Sequence, residues 1–184
     1  MGLMENHVMQ KNAVAAWKGK VDAVGRLERI SLRLNRGLAW VAGGSLLAIV
    51  FLVVGNALLR AVWKPLAGTP EMVGWLASLT IGFGLGYTQV SRGYVEIEAL
   101  VERLPRALQR TVRQVVLFAG MTFFLLVSWE MTGYGLNVMK NGNLSETMWL
   151  PFYPLIFLLS LGFAGLTLAL FVDFLKERIG GAGK

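Results

Sequence analysis

Four long apolar runs without a charged residue constrain this chain more than any other feature. They cover residues 37–59, 72–91, 114–129 and 147–172, or 23, 20, 16 and 26 residues. A helix of about 20 residues crosses a hydrocarbon core of about 30 Å. Lipid cannot satisfy an open backbone amide or carbonyl, so each run is expected to be helical. The alternation of a β-barrel strand is absent. The runs are apolar all round, as buried or lipid-facing helices are. The third run stops at Glu130 and is expected to continue beyond it as a helix emerging into water. The expectation is an all-α integral membrane protein with four transmembrane helices at about 37–61, 72–91, 106–137 and 147–173. They form a membrane domain over 37–175, followed by a tail at 176–184.

Composition agrees. Only 16% of the 184 residues are charged, against about 25% in soluble domains, and the mean hydropathy is +0.56. There is no cysteine, which excludes a disulfide scaffold, zinc–thiolate sites, iron–sulfur clusters and thiol nucleophiles. The pI of about 10.1 would suit nucleic acid in a soluble chain. In a chain this apolar it suits a membrane with an anionic cytoplasmic face, so no nucleic acid partner is expected.

The basic residues also set an orientation. Seven lie in residues 1–36, five in 92–113 and three in 176–184, while Arg60, Lys64 and Lys140 fall on the opposite side. Lys and Arg accumulate in cytoplasmic flanks, so fifteen against three predicts both termini in the cytoplasm. The expected location is a bacterial or archaeal cytoplasmic (inner) membrane, crossed several times. Residues 1–36 lack the apolar core of a cleavable signal, so the first run is expected to stay as an anchor.

Two segments look amphipathic. In 21–36, Val21, Val24, Leu27, Ile30 and Leu34 recur near helical spacing among Asp22, Arg26, Arg29, Arg33 and Arg36. Residues 1–36 are therefore expected to be a cytoplasmic amphipathic segment leading into the first span. In 94–104, Ile97, Leu100, Val101 and Leu104 fall at i, i+3, i+4 and i+7, the pattern of a helix lying in the cytoplasmic interface. Pro105 cannot continue that helix and suits the first turn of the next. At the outer surface, Trp63, Trp75 and Trp149 form part of an aromatic belt, with Phe152 and Tyr153.

Chemistry is scarce. Arg60, Glu71, Arg92, Glu130, Glu146 and Asp173 all lie at or beyond span ends, and the only histidine is His7. Proton relays and ion paths need ionisable groups inside the membrane. Haem ligation and triad catalysis need histidines that this chain lacks. No enzyme activity is expected. Gly82, Gly84 and Gly86 have the wrong spacing for a dinucleotide loop and no preceding strand. Gly82 and Gly86, four apart, suit close approach of another helix, from this chain or a partner. Asn56 is the most polar residue of the first run and is expected to make an interhelical hydrogen bond. Arg60, one turn later, is expected to reach the outer headgroups or to pair with Glu71.

The order of these features resembles a known family. Asn56-Ala-Leu-Leu-Arg60 resembles an Asn-x-x-x-Arg ending of a first span, and Glu71 follows a short outer loop. Residues 82–98, GFGLGYTQVSRGYVEIE, resemble a glycine-rich second span that ends in an Arg-Gly pair and runs into a surface helix. Leu104-Pro105, with Arg106 and Arg110, resembles that family's Leu-Pro corner. Ser145-Glu-Thr-Met-Trp-Leu-Pro151 is similar to its Ser-x-x-Leu-x-Ile-Pro start of a fourth span. Together these resemble the small (Q-type, DctQ-like) membrane subunit of tripartite ATP-independent periplasmic (TRAP) transporters, over roughly residues 30–175. Tyr94 departs from the family, which often has His there.

The resemblance implies a three-part machine. A soluble periplasmic binding protein (P-type) delivers organic acids, either carboxylates or sulfonates. A large M-type membrane subunit carries them with sodium by an elevator motion, and the small subunit braces its scaffold. The sodium ions belong to the large subunit. No cofactor is expected in this chain beyond structural lipids. Gly82, Gly86 and Asn56 become candidate partner-packing residues. Arg60, Lys64, Glu71, Lys140 and Glu146 become candidates for docking the binding protein. The competing reading is an independent four-helix membrane channel or assembly factor. A channel needs a polar stripe along a span, and Asn56, Ser78, Thr80 and Gln89 form no continuous line.

Overall fold

The computed structural model describes residues 2–91 and 105–181. The expected interface helix at 94–104, with Ile97, Leu100, Val101 and Leu104, lies outside the described residues. The described residues form four helices: α1 (Gly2–Val62), α2 (Thr69–Val90), α3 (Arg106–Asn141) and α4 (Tyr153–Gly181).

The 61 residues of α1 run without a break through the expected boundary at 36/37. No proline occurs before Pro65, and at 1.5 Å per residue the helix is about 90 Å long. The amphipathic segment and the first span are therefore one element. Pro65 pushes Lys64 away from helical angles, and α1 ends just before it. Gly68, at φ 86, then turns the chain into α2, whose first turn holds Pro70 and Glu71. Proline suits that position because its missing amide would have no helical partner. The first turn of α3 forms on Pro105, whose carbonyl accepts from the amides of Leu108 and Gln109 at 2.8 and 3.1 Å. At its other end Gly142, at φ 63, closes the helix in the left-handed conformation.

The fourth helix begins at Tyr153, later than the expected 147. Residues 144–151 instead form a tight hairpin, with Leu144 and Pro151 paired as an antiparallel bridge. Prolines at 151 and 154 remove the amides that an earlier start would need.

Three helices are long and apolar enough to cross a membrane: Val21–Val62, Thr111–Asn141 and Tyr153–Arg178. The 22 residues of α2 would reach across, but four glycines with threonine, serine and glutamine dilute their apolarity.

The central element is α4, which packs on all three others; α1 and α2 pack on each other, and α3 packs on α4. Half of the most apolar stretch of α4 is buried, and none of that of α3. Along α1 the buried positions are Ser31, Asn35, Leu38, Ala42 and Ser45, spaced alternately four and three apart. That is the seam spacing of helices packed side by side. Leu38 and Ala42 meet Phe83 of α2, with Leu79 beside them. Large apolar side chains such as Trp40, Phe51, Phe123 and Trp129 point outward. In lipid nothing forces them inward, and close helix packing favours small residues instead.

Candidate functional site

Two polar nodes and one hydroxyl cluster tie these helices together. The first node sits at the end where α1 leads into α2 and α3 into α4. The Asn56 side chain accepts from the amide of Leu66 at 2.8 Å, and the Thr69 hydroxyl donates to the Leu66 carbonyl at 2.9 Å. Asn56 therefore pins the turn that follows its own helix. This corrects the expected interhelical bond: α1 ends within two turns of Asn56, so the nearest free donors belong to the connection. Glu71 is held from two sides. The Ser145 hydroxyl donates to one carboxylate oxygen, and the Thr147 amide donates to the other at 3.3 Å. Ser145 is buried and also organises its own hairpin. Its amide donates to the Leu150 carbonyl at 2.9 Å, its carbonyl accepts from the Trp149 amide at 3.2 Å, and its hydroxyl lies 3.4 Å from the Met148 amide. A Cβ on Gly68 would stand 2.7 Å from Met148 Cγ, so the turn before α2 and the hairpin touch closely.

The second node joins three helices. Asn35 of α1 is fully buried. Its amide nitrogen donates to the Ser31 carbonyl and to the Gly165 carbonyl of α4, at 3.0 and 3.1 Å, and lies 3.3 Å from the Ser31 hydroxyl. Its oxygen has no hydrogen-bond partner and abuts Gly86 of α2. A Cβ at Gly86 would collide with that oxygen. One helical turn away, α2 and α4 meet directly. A Cβ at Gly162 would lie 2.8 Å from the Gly82 carbonyl oxygen, and one at Gly82 would lie 2.8 Å from Leu159.

Between α3 and α4 a hydroxyl cluster does similar work. The Ser128 hydroxyl reaches the Ser160 carbonyl at 3.0 Å, and the Ser160 hydroxyl reaches the Ser128 carbonyl at 2.9 Å. Thr132 Oγ1 lies 2.7 Å from Ser160 Oγ. At the opposite end from the hairpin, Gln89 donates to Asp173 at 2.8 Å, Lys176 pairs with Glu28, and Arg113 stands 3.9 Å from Glu177. The Arg178 guanidinium lies over the Phe174 ring at 5.6 Å.

Among the expected site residues, Gly82 and Gly86 meet α4 and α1 of this same chain. Arg60, Lys64, Lys140 and Glu146 are exposed and share the hairpin end with Glu71. Glu71 is half-buried and bonded to Ser145 and Thr147 rather than to Arg60. Trp63 and Trp149 are 80% and 74% exposed, and Trp75 is half-buried. Sequence reasoning missed Ser31, Asn35 and the Ser128–Thr132–Ser160 cluster. The available signal was the alternating spacing of residues 31, 35, 38, 42 and 45. Among the described residues no cluster of three or more His, Cys, Asp or Glu side chains can hold a metal ion. What this arrangement does chemically is fasten helices and present charge at both ends.

Asn56, Glu71, Gly82, Gly86 and Ser145, which take part in these contacts, also carried the family resemblance. A family model described as "Tripartite ATP-independent periplasmic transporters, DctQ component" matches residues 37–179. No curated protein and no solved structure matches the chain.

Proposed function

The chain belongs to the DctQ family of tripartite ATP-independent periplasmic transporters, a family of transporter components rather than enzymes, and we propose that within such a transporter it is the non-carrying brace. In this reading four helices cross the inner membrane with both termini in the cytoplasm. The large membrane subunit carries sodium and an organic acid, and the small subunit stiffens the fixed scaffold beside which it moves. The hairpin end faces the periplasm and helps to dock the soluble binding protein, through Arg60, Lys64, Lys140, Glu146 and the hairpin that Glu71 holds.

One observation carries the reading. Several polar groups between the two ends join helices, while Ser78, Thr122 and Thr167 bond to the carbonyl one turn back in their own helix. Asn35, Thr80, Ser128, Thr132 and Ser160 all bond to backbone or to one another. Among the described side chains none that is charged is buried, and Glu130, Arg33 and Arg36, beside these groups, are all exposed, where a carrier would need a charge inside the bundle. Large apolar side chains on α1 and α3 face outward, which suits lipid and a membrane partner.

Co-expression with the large subunit tests this. The two are expected to co-purify in detergent, and uptake in vesicles is expected to need both subunits and the binding protein. The small subunit alone is expected to give no calorimetric signal with sodium or with the transported organic acid. Saturable binding of either by the small subunit would overturn the non-carrier reading.

A further inference from the structure

The hairpin 144–151 is built more tightly than a simple connection requires. Five hydrogen bonds converge on Ser145 and Glu71, and the Leu144–Pro151 bridge closes the base. Trp149 is the one non-glycine described residue with positive φ, at 55°. A bulky side chain in that region is unfavourable and persists only where its surroundings impose it. Yet the indole is 74% exposed, so burial within this chain does not repay the strain. The clamp thus presents Trp149, Leu150 and Glu146 outward in one fixed arrangement. Around them the exposed charges are three cations, Arg60, Lys64 and Lys140, and one anion, Glu146, because the Glu71 carboxylate is turned inward.

We infer that the Glu71–Ser145 clamp is a positioning device for partner docking: it fixes the hairpin so that Trp149 and the cationic rim meet an acidic face of the soluble binding protein. The inference rests on the docking role proposed above and changes what Glu71 does in it. Glu71 acts through the hairpin rather than as an exposed docking charge. An ordered hairpin lowers the entropy lost on contact, a gain that salt does not screen. A bare docking charge would act through encounter rate and would fade at high ionic strength.

The two roles separate in vesicles holding both membrane subunits, with uptake measured as the binding protein is titrated. Ser145→Ala keeps the Glu71 charge and Glu71→Gln removes it, but both break the clamp. Each is expected to raise the half-saturating concentration of binding protein about fivefold, with maximal uptake little changed and the rise persisting in 0.5 M salt. The chain has no native cysteine, so a Glu71→Cys/Ser145→Cys variant can be bridged by a short thiol cross-linker. Bridging is expected to restore near-normal half-saturation without any carboxylate at 71. If Ser145→Ala leaves half-saturation unchanged while Glu71→Gln raises it only at low salt, Glu71 is a bare charge and the clamp role is wrong. If bridging restores nothing while Arg60→Glu or Glu146→Lys shifts half-saturation, docking stands and the clamp role falls. If none of these variants shifts it, the docking reading itself fails and the inference goes with it.

Discussion

Asn35 shows how a single side chain sets the register of three helices. Its amide nitrogen faces three oxygens, so the opposite amide orientation would press oxygen against oxygen. That fixes the carbonyl oxygen against Gly86, where only a glycine leaves room. Gly86→Ala should therefore destabilise the bundle by about 1–3 kcal/mol through overpacking. In an Asn35→Ala background the same change should cost much less, because the clashing oxygen is gone. The coupling, about 0.5–3 kcal/mol for residues in contact, is measurable as a double-mutant cycle of thermal unfolding in detergent. Additive losses would show that the two residues do not share a notch. Gly162→Ala makes the control, since its Cβ would strike the Gly82 backbone, which no side-chain change relieves. Glycines four apart were legible in the sequence because small residues mark close helix contacts. Asn35 was not, because Arg33 and Arg36 beside it read as a solvated face.

Among the elements, α1 departs furthest from what its sequence suggested. The stripe Val21, Val24, Leu27, Ile30 and Leu34 marked an amphipathic segment, yet it is not the face that packs: Val21, Ile30 and Leu34 are exposed and Val24 and Leu27 half-buried. Ser31, Asn35 and Leu38 are buried instead, continuing into Ala42 and Ser45. The reason is the solvent. In water the apolar stripe goes inward, whereas against lipid the packed face is the one that brings backbones close and satisfies polar groups. Helix existence was legible from run length alone, and so was the start of α3 at Pro105. The faces were not, because hydropathy cannot tell a lipid-facing leucine from a packed one. A single alanine inserted between Arg36 and Gly37 tests the continuity of α1. It would rotate Ser31 and Asn35 by about 100° relative to Leu38 and Ala42. The Gly165 and Gly86 contacts would be lost, at a cost of about 2–3 kcal/mol from a broken buried polar node, read as a lower melting temperature. An independent N-terminal segment would tolerate the insertion. Between α3 and α4, Ser160→Ala should cost less, about 0.6 kcal/mol, the usual size of a hydroxyl contact between membrane helices.

For the whole molecule, the helix order and the charge pattern make the same division. The helices alternate in direction, so α1–α2 and α3–α4 turn at one end, where Glu71 meets Ser145 and Gly68 meets Met148. At the other end Gln89 with Asp173 and Glu28 with Lys176 hold α2 and α1 to α4. Fifteen of the eighteen basic residues belong to that second end by sequence position, and three to the hairpin end. Retaining Lys and Arg in the cytoplasm is then expected to place the hairpin outside. Cysteines introduced singly at Asn143 and at Lys184 measure this directly, since no native thiol competes. In intact cells an impermeant maleimide is expected to label position 143 and to leave 184 unlabelled until the membrane is permeabilised. Labelling of both in intact cells would mean that α4, the only helix between the two positions, does not cross the membrane. Labelling of 184 alone would invert the molecule and place the clamped hairpin in the cytoplasm, out of reach of any periplasmic partner.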